Sequence, residues 1–234
     1  QNSVCNSLDY GPVEWGQAEF DAIATATAND IIVVEAAGNG SVNLDAVACG
    51  SLFNTAVRDS GAIIVGAGAP LLHNRLYFST YGSRVNVQGW GETVTTTGYG
   101  QAGLGNPSDP RQRYTTGFNG TSSASPTVVG AILAIQGVLK ANAGDPLTPA
   151  QMRQLLIDSG TAQTGVDHIG PLPNVPAALA LIPPRIEVTS PNGGEQWSAG
   201  TSETVTWTEF NLPETDGIFV WLFDNGGTGW HQLA

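Results

Sequence analysis

Two short apolar runs rich in β-branched residues constrain the fold of this chain more than any other feature. Residues 31–37 read Ile-Ile-Val-Val-Glu-Ala-Ala, and residues 62–68 read Ala-Ile-Ile-Val-Gly-Ala-Gly. Such runs are typical of strands that are buried on both faces of a parallel sheet. Between Glu14 and Ala28, apolar residues recur at a broken helical spacing. Because strand and helix alternate, we expect an α/β fold with ligand chemistry at the carboxyl ends of its strands.

A turn of small residues leads into the longest apolar segment. Residues 120–126 read Gly-Thr-Ser-Ser-Ala-Ser-Pro, and the apolar stretch behind them extends to about Ala141. A hydroxyl at the start of a helix lies near unpaired backbone N–H groups and the positive end of the helix dipole, which both favour developing negative charge. An acyl-transfer nucleophile needs this environment. A serine or threonine that only caps the helix would be found in the same place.

Four further segments accompany this turn in a fixed order. They are Ala36-Ala37-Gly38-Asn39, residues 62–68, residues 77–82 with the turn Phe78-Ser79-Thr80-Tyr81-Gly82, and residues 147–156. Together with residues 120–126 they resemble the motifs of the subtilisin-like serine proteases, the subtilases. The resemblance covers residues 1–182. It implies a three-layer, parallel-sheet α/β fold and an endopeptidase that hydrolyses polypeptides.

The resemblance implies a catalytic role for two residues. The register of the motif makes Ser122 the nucleophile, in preference to Ser123 and Ser125. Asn39 is the side-chain donor of the oxyanion hole, where it acts together with the backbone N–H of Ser122. Without Ser122, Asn39 would be interpreted as a turn residue between two glycines.

The resemblance also implies two sides of a peptide-binding cleft. Ser7, Leu8 and Asp9 would form the strand that pairs with an extended substrate. Ala36, Ala37 and Gly38 would form the opposite wall of the primary specificity pocket. Alternation along the strand should turn the side chain of Glu35 away from that pocket.

The base and acid of a serine-protease triad do not occur where the resemblance requires them. In subtilisin the chain order is Asp, His, Ser, but every histidine here follows the oxyanion segment: His73, His168 and His231. Asp59 and Asp158 begin Asp-Ser-Gly tripeptides that resemble the aspartate motif, yet both also follow Asn39, and turn and cap chemistry explains them. We therefore expect a C-terminal part of a catalytic domain, inactive alone, whose acid and base lie upstream or on another chain.

Composition restricts the partners and the compartment. With 8 basic and 20 acidic residues the net charge is −12, which argues against a nucleic-acid partner. No apolar run approaches the roughly 18 residues that would predict a membrane span. Cys5 and Cys49 could form a disulfide or remain two buried thiols. The scarcity of lysine and the 30 glycines are typical of a loop-rich extracellular protein, so we expect secretion.

The amino-acid composition changes at Pro183-Pro184, and the two prolines predict a stiff linker. Beyond it, residues 185–189 and 204–208 alternate like half-buried strands, with the turn Asn192-Gly193-Gly194 between them. This segment resembles a bacterial Ig-like or fibronectin-like module. About seven strands are needed for such a sandwich, so we expect residues 183–234 to be an incomplete all-β module.

Two other functions fit the same sequence. One is a catalytically inactive subtilase fold retained for binding, although intact Ser122 and Asn39 argue against it. The other is a surface adhesion module that uses aromatic residues of the second segment: Trp207, Trp221 and Trp230.

We predict no cofactor and no metal site, because Asp109 in the loop 99–113 cannot supply the six to eight oxygens of a calcium site by itself, even though calcium is common in the family.

Overall fold

The computed structural model describes residue 5 and residues 10–142, 144–198, 200–212, 217–223 and 230–232. The chain divides into two compact units, Gln1–Leu181 and Ile182–Ala234. In the first unit the helices are α1 (Gln17–Ala28), α2 (Thr121–Ala141), α3 (Pro149–Ser159) and α4 (Val175–Leu181). Its strands are β1 (Val34–Ala36), β2 (Ile63–Gly68), β3 (Val87–Trp90), β4 (Val94–Thr97) and β5 (Tyr114–Phe118).

A parallel sheet of order β1-β2-β3 forms the centre of the first unit. Every residue of β2 is buried, as its uninterrupted apolar sequence predicts. The predicted parallel α/β architecture is therefore confirmed. Strand β1 is shorter than the apolar run of residues 31–37. At the start of this run the N–H of Ile31 still donates to the carbonyl of Ala26 in α1, so the backbone N–H of Ile31 is bonded to the helix and not to the sheet.

Helix α2 crosses the sheet and packs against all three strands. Its buried face repeats at helical spacing through Val128, Ile132, Ile135 and Leu139. The backbone approach is close, because a side chain at Gly89 of β3 would overlap the carbonyl oxygen of Ala124. By length and a mean hydropathy of 1.4, α2 is also long and apolar enough to cross a bilayer. Its contacts with β1, β2 and β3 are those of a core helix.

A disulfide joins Cys5 to Cys49, which decides between the two states that the sequence left open. Cys49 ends the 3-10 turn Val47–Cys49. Both half-cystines lie in a buried apolar cluster that also contains Ala37, Phe53 and Ile64. The disulfide thus fastens the start of the chain to the core beside β1 and β2.

The second unit consists of antiparallel pairs. Strand β6 (Arg185–Ser190) pairs with β7 (Thr206–Phe210), and β8 (Trp221–Phe223) pairs with β9 (Trp230–Gln232). An apolar hollow of about 320 Å³ lies within the unit, lined by side chains that include Trp197, Trp207 and Trp221. These tryptophans are 37–49% exposed, so they are only partly buried. The Ig-like assignment stays a prediction.

Candidate active site

The carboxyl ends of β1 and β3 meet the start of α2. The backbone N–H of Gly120 donates to the carbonyl of Gly91 at 2.9 Å, just past the end of β3. The hydroxyl of Ser123 donates to the carbonyl of Trp90, the last residue of β3, at 3.1 Å. These bonds hold the first turn of α2 at the edge of the sheet where the topology predicts ligand chemistry.

Asn39 reaches the first residue of α2 from the turn that follows β1. We call residues 38–40 the oxyanion turn. The Oδ1 atom of Asn39 accepts from the backbone N–H of Thr121 at 2.9 Å and from its hydroxyl at 3.0 Å. The same hydroxyl accepts from the N–H of Gly38 at 3.1 Å. Because a backbone N–H can only donate, the side-chain oxygen of Asn39 must face Thr121, and Nδ2 is left free to donate elsewhere.

Ser122 is the exposed residue beside this contact. Within the described part of the chain, neither its hydroxyl nor its backbone N–H has a hydrogen-bond partner. The two neighbouring serines differ. Ser123 is buried and bonds Trp90, and the hydroxyl of Ser125 donates to the carbonyl of Thr121 at 2.9 Å. Of the three serines on this turn, only Ser122 therefore keeps an unengaged hydroxyl.

Gly120 gives the amide of Asn39 room. It precedes α2 with φ +97°, a conformation that favours glycine. A Cβ at this position would lie 3.1 Å from Nδ2 of Asn39, which is closer than most Cβ contacts. A side chain at position 120 would therefore crowd the donor atom.

The predicted substrate-binding residues have different environments. Ala36 and Gly38 are partly exposed, whereas Ala37 has no exposed surface and packs in the apolar cluster around the disulfide. The carbonyl of Gly38 accepts from the N–H of Thr80 at 3.0 Å. Ser7, Leu8 and Asp9 lie outside the described residues, so their part in the cleft stays a prediction.

The family model of the subtilases, peptidase family S8, matches residues 2–170. The chain belongs to the subtilase family. Subtilases are serine peptidases, and the predicted family with its α/β fold is confirmed. No curated protein matches the sequence.

The solved structures that resemble this subtilase include two proteases and a macrocyclase. The patellamide maturation protease PatA is 22% identical, with a TM-score of 0.50, and the match covers 69% of this chain and 55% of PatA. A lanthipeptide protease is 19% identical, with a TM-score of 0.51, and the match covers 69% of this chain and 54% of that protease. The PatG macrocyclase in complex with peptide is 17% identical, with a TM-score of 0.52, and the match covers 70% of this chain and 47% of the macrocyclase. At these identities the likeness shows the fold. This subtilase spans about half the length of these chains.

The histidines of the subtilase do not bond Ser122 in the described part of the structure. Nε2 of His168 lies 3.1 Å from the carbonyl of Val85, which precedes β3 and is therefore at the opposite end of the sheet. His73 lies in the turn after β2, with φ +55°. The side chain of His231 is outside the described residues.

The two Asp-Ser-Gly tripeptides have structural roles. Asp59 forms an ion pair with Arg153 at 2.6 Å and accepts from the N–H of Gly61 at 2.9 Å. Asp158, near the end of α3, accepts from the side chain of Gln154 at 2.7 Å. Among the residues that the structure describes, no three His, Cys, Asp or Glu side chains come together as a metal site would require.

The part that Thr121 plays is not predicted by the sequence motifs. A threonine at the start of a helix is expected to cap it, but the cap position of α2 is Gly120, and the hydroxyl of Thr121 instead bridges Gly38 and Asn39, which lie 83 and 82 positions away in the chain. The available signal was the residue type. A hydroxyl directly before the nucleophile can both donate to an amide oxygen and accept from a backbone N–H.

Proposed function

We propose that this subtilase provides the nucleophile and the oxyanion hole of a secreted serine endopeptidase. The observation that carries the proposal is the contact between Asn39 and Thr121. It fixes the amide of Asn39 one residue from Ser122, whose hydroxyl and N–H both lack partners among the described residues. A nucleophile beside two unengaged donors, at the positive end of a long helix, suits acyl transfer.

The reaction proceeds through an acyl-enzyme. Oγ of Ser122 attacks the carbonyl carbon of the scissile peptide and passes its proton to an imidazole base. The carbonyl oxygen becomes an oxyanion that accepts from Nδ2 of Asn39 and from the N–H of Ser122. The C–N bond then breaks, and the amine leaves with the proton from the imidazolium. Water, deprotonated by the same base, hydrolyses the ester and releases the acid.

The base and its aspartate come from outside these 234 residues. Two observations support this part of the proposal. His168, Asp59 and Asp158 are engaged elsewhere in the structure. The solved structures that share the fold are about twice as long as the matching part of this chain.

The substrate is a polypeptide in extended form. Ser7, Leu8 and Asp9 pair with its backbone. Ala36 and Gly38 bound the pocket for one of its side chains, and the buried side chain of Ala37 supports this wall from the core. The disulfide between Cys5 and Cys49 supports an oxidising compartment, and so secretion, because disulfides are rare in reducing cytosol.

Covalent labelling with a fluorophosphonate tests the proposal. We expect the longest product of the gene to be phosphonylated at Ser122, as located by peptide mass spectrometry, and the 234-residue chain to react more slowly because it has no base. Ser122→Ala should abolish labelling, whereas the matched variant Ser125→Ala should retain it. Labelling that survives in Ser122→Ala, or no labelling of either preparation, would overturn the proposal.

A further inference from the structure

A buried cluster of charged side chains lies along the strand that leads to the oxyanion turn. Glu14 and Arg84 have no exposed surface, and Glu35 in β1 is 5% exposed. The guanidinium of Arg84 binds both carboxylate oxygens of Glu14, at 2.8 Å each. The hydroxyl of Ser60 donates to the same carboxylate at 2.5 Å. Glu14 is therefore a fully paired buried anion.

Glu35 is a second carboxyl group in this cluster without a cation of its own. Its Oε1 accepts from the backbone N–H of Glu14 at 2.9 Å, and its Oε2 is buried without a hydrogen-bond partner among the described residues. The donors of Arg84 already serve Glu14, Ser60, the carbonyl of Ala62 and the side chain of Asn86. An ionised Glu35 would thus be an uncompensated buried charge, which is costly.

The surroundings of Glu35 favour its neutral form. Burial raises the pKa of Glu35 from 4.5 to about 7, and the negative charge of Glu14 adds to this rise. The backbone N–H groups of Glu14 and Val13 and the positive charge of Arg84 oppose the rise without cancelling it. Glu14 reaches Glu35 from the 3-10 turn Val13–Trp15, and Arg84 reaches it from the loop before β3. Strand β2 and helix α2, which also pack against β1, place no charged side chain there in the described structure.

Residues 10–14, which Glu35 contacts through the N–H of Glu14, also contact the oxyanion turn. The N–H of Gly40 donates to the carbonyl of Tyr10 at 3.2 Å. A side chain at Gly38 would overlap that same carbonyl. Residues 10–14 therefore run beside residues 35–40 and touch them at both ends, through Glu35 at one end and Gly40 at the other.

We propose that Glu35 is a positioning residue for Asn39, and that it acts in its protonated form. The neutral carboxyl keeps residues 10–14 fastened to β1, and these residues hold the oxyanion turn against the start of α2. Loss of the proton creates a second buried anion beside Glu14. The ionised group would accept more strongly from the N–H of Glu14, but burial and the charge of Glu14 together outweigh this gain, so the carboxylate moves toward water and the contact is lost. The proposal rests on the role of Asn39 given above.

The direction of the pH effect follows from the raised pKa. Glu35 contributes its stabilisation fully below about pH 4.5, where the unfolded and the folded chain both carry the proton, and this contribution is lost as the pH rises through about 7. The melting temperature of the wild-type chain should therefore fall between about pH 4.5 and 7, relative to that of Glu35→Gln, which cannot ionise, and the difference should level off above about pH 7. Glu187→Gln, an exposed carboxyl in the second unit, is the matched control and should follow the wild type.

The decisive experiment measures the fluorophosphonate labelling rate of Ser122 on both sides of pH 7 in the longest gene product. At each pH the labelling rate of Glu35→Gln is divided by the wild-type rate. Because the base titrates equally in both proteins, its effect on the rate disappears from this ratio. We expect this ratio to rise above pH 7 by up to about tenfold for each pH unit, and the Glu187→Gln ratio to stay flat. In an Asn39→Ala background the Glu35→Gln ratio should also be flat, because the donor that Glu35 positions is gone.

The outcomes separate this inference from the proposed function. If Ser122 is labelled but Glu35→Gln and wild type share one pH profile, the positioning role is wrong. If the ratio rises equally in the Asn39→Ala background, Glu35 acts on the fold in general and the inference is also overturned. If Ser122 is not labelled at any pH, the proposed function itself fails, while the melting curves still report whether Glu35 titrates near pH 7.

Discussion

Replacing Asn39 by alanine should slow the acylation of Ser122 by about 10²–10³-fold, the size of the loss quoted for the equivalent asparagine of subtilisin. The structure gives the reason. The amide oxygen of Asn39 is held by the N–H and the hydroxyl of Thr121, so Nδ2 is oriented before any substrate arrives. A donor that needs no reorganisation stabilises the oxyanion of the transition state and not the planar carbonyl of the substrate. Single-turnover acylation of the longest gene product by an ester substrate measures this effect as a lower acylation rate constant at a nearly constant dissociation constant of the substrate.

Two further variants test whether the loss of rate comes from the amide of Asn39 and its contact with Thr121. Thr121→Val keeps the size of the side chain but removes the hydroxyl that bridges Gly38 and Asn39, and it should produce a smaller loss than Asn39→Ala. Asn54→Ala removes an exposed turn asparagine whose side chain accepts from the N–H of Ala56, and it should leave the rate unchanged. Equal rates for Asn39→Ala and Asn54→Ala would contradict the role of Asn39.

Replacing Arg84 by methionine should lower the free energy of unfolding by about 3–5 kcal/mol, because it leaves Glu14 as a buried charge without its partner. Both side chains are completely buried, and the bidentate contact holds the 3-10 turn at residues 13–15 against the start of β3. Denaturant unfolding of the chain, followed by circular dichroism, measures the loss. Arg111→Met is the matched control, since Arg111 pairs with Asp109 while its side chain is 87% exposed. Exposed pairs contribute little, so this variant should be nearly as stable as the wild type.

A second substitution distinguishes the lost ion pair from lost packing. Glu14→Gln in the Arg84→Met background removes the unpaired charge, so the double variant should be more stable than Arg84→Met alone. If both variants are equally unstable, packing of the arginine stem accounts for the loss. If Arg84→Met unfolds at the same denaturant concentration as Arg111→Met, the buried pair has no stabilising role.

Local patterns predict the core elements of this fold well. Strand β2 and helix α2 lie where the apolar runs predict them. Helix α3 covers most of the segment 147–156 that resembles a subtilase motif, and it begins with a capping box between Thr148 and Gln151. The end of α1 is less predictable, because the bond from Ile31 to Ala26 depends on how the chain turns into the sheet. Spacing alone carries no information about that bond.

The site is predictable where a motif is contiguous and unpredictable where contacts span the chain. Ser122 and Asn39 stand in short motifs that can be recognised. The bridge from Thr121 to Asn39 spans 82 positions, and the pair of Glu14 and Arg84 spans 70. From the sequence, Glu14 is predicted to lie at the start of an amphipathic helix. Only the packed sheet shows that it is buried and that it constrains the ionisation of Glu35.

A crystal structure of the phosphonylated protein tests most directly whether Ser122 and Asn39 act on the same oxygen. The phosphonyl oxygen mimics the oxyanion of the tetrahedral intermediate. We expect phosphorus bound to Oγ of Ser122, and this oxygen within about 2.7–3.1 Å of both Nδ2 of Asn39 and the backbone nitrogen of Ser122. A phosphonyl oxygen directed away from Asn39, or phosphorus on a different serine, would contradict the proposed site.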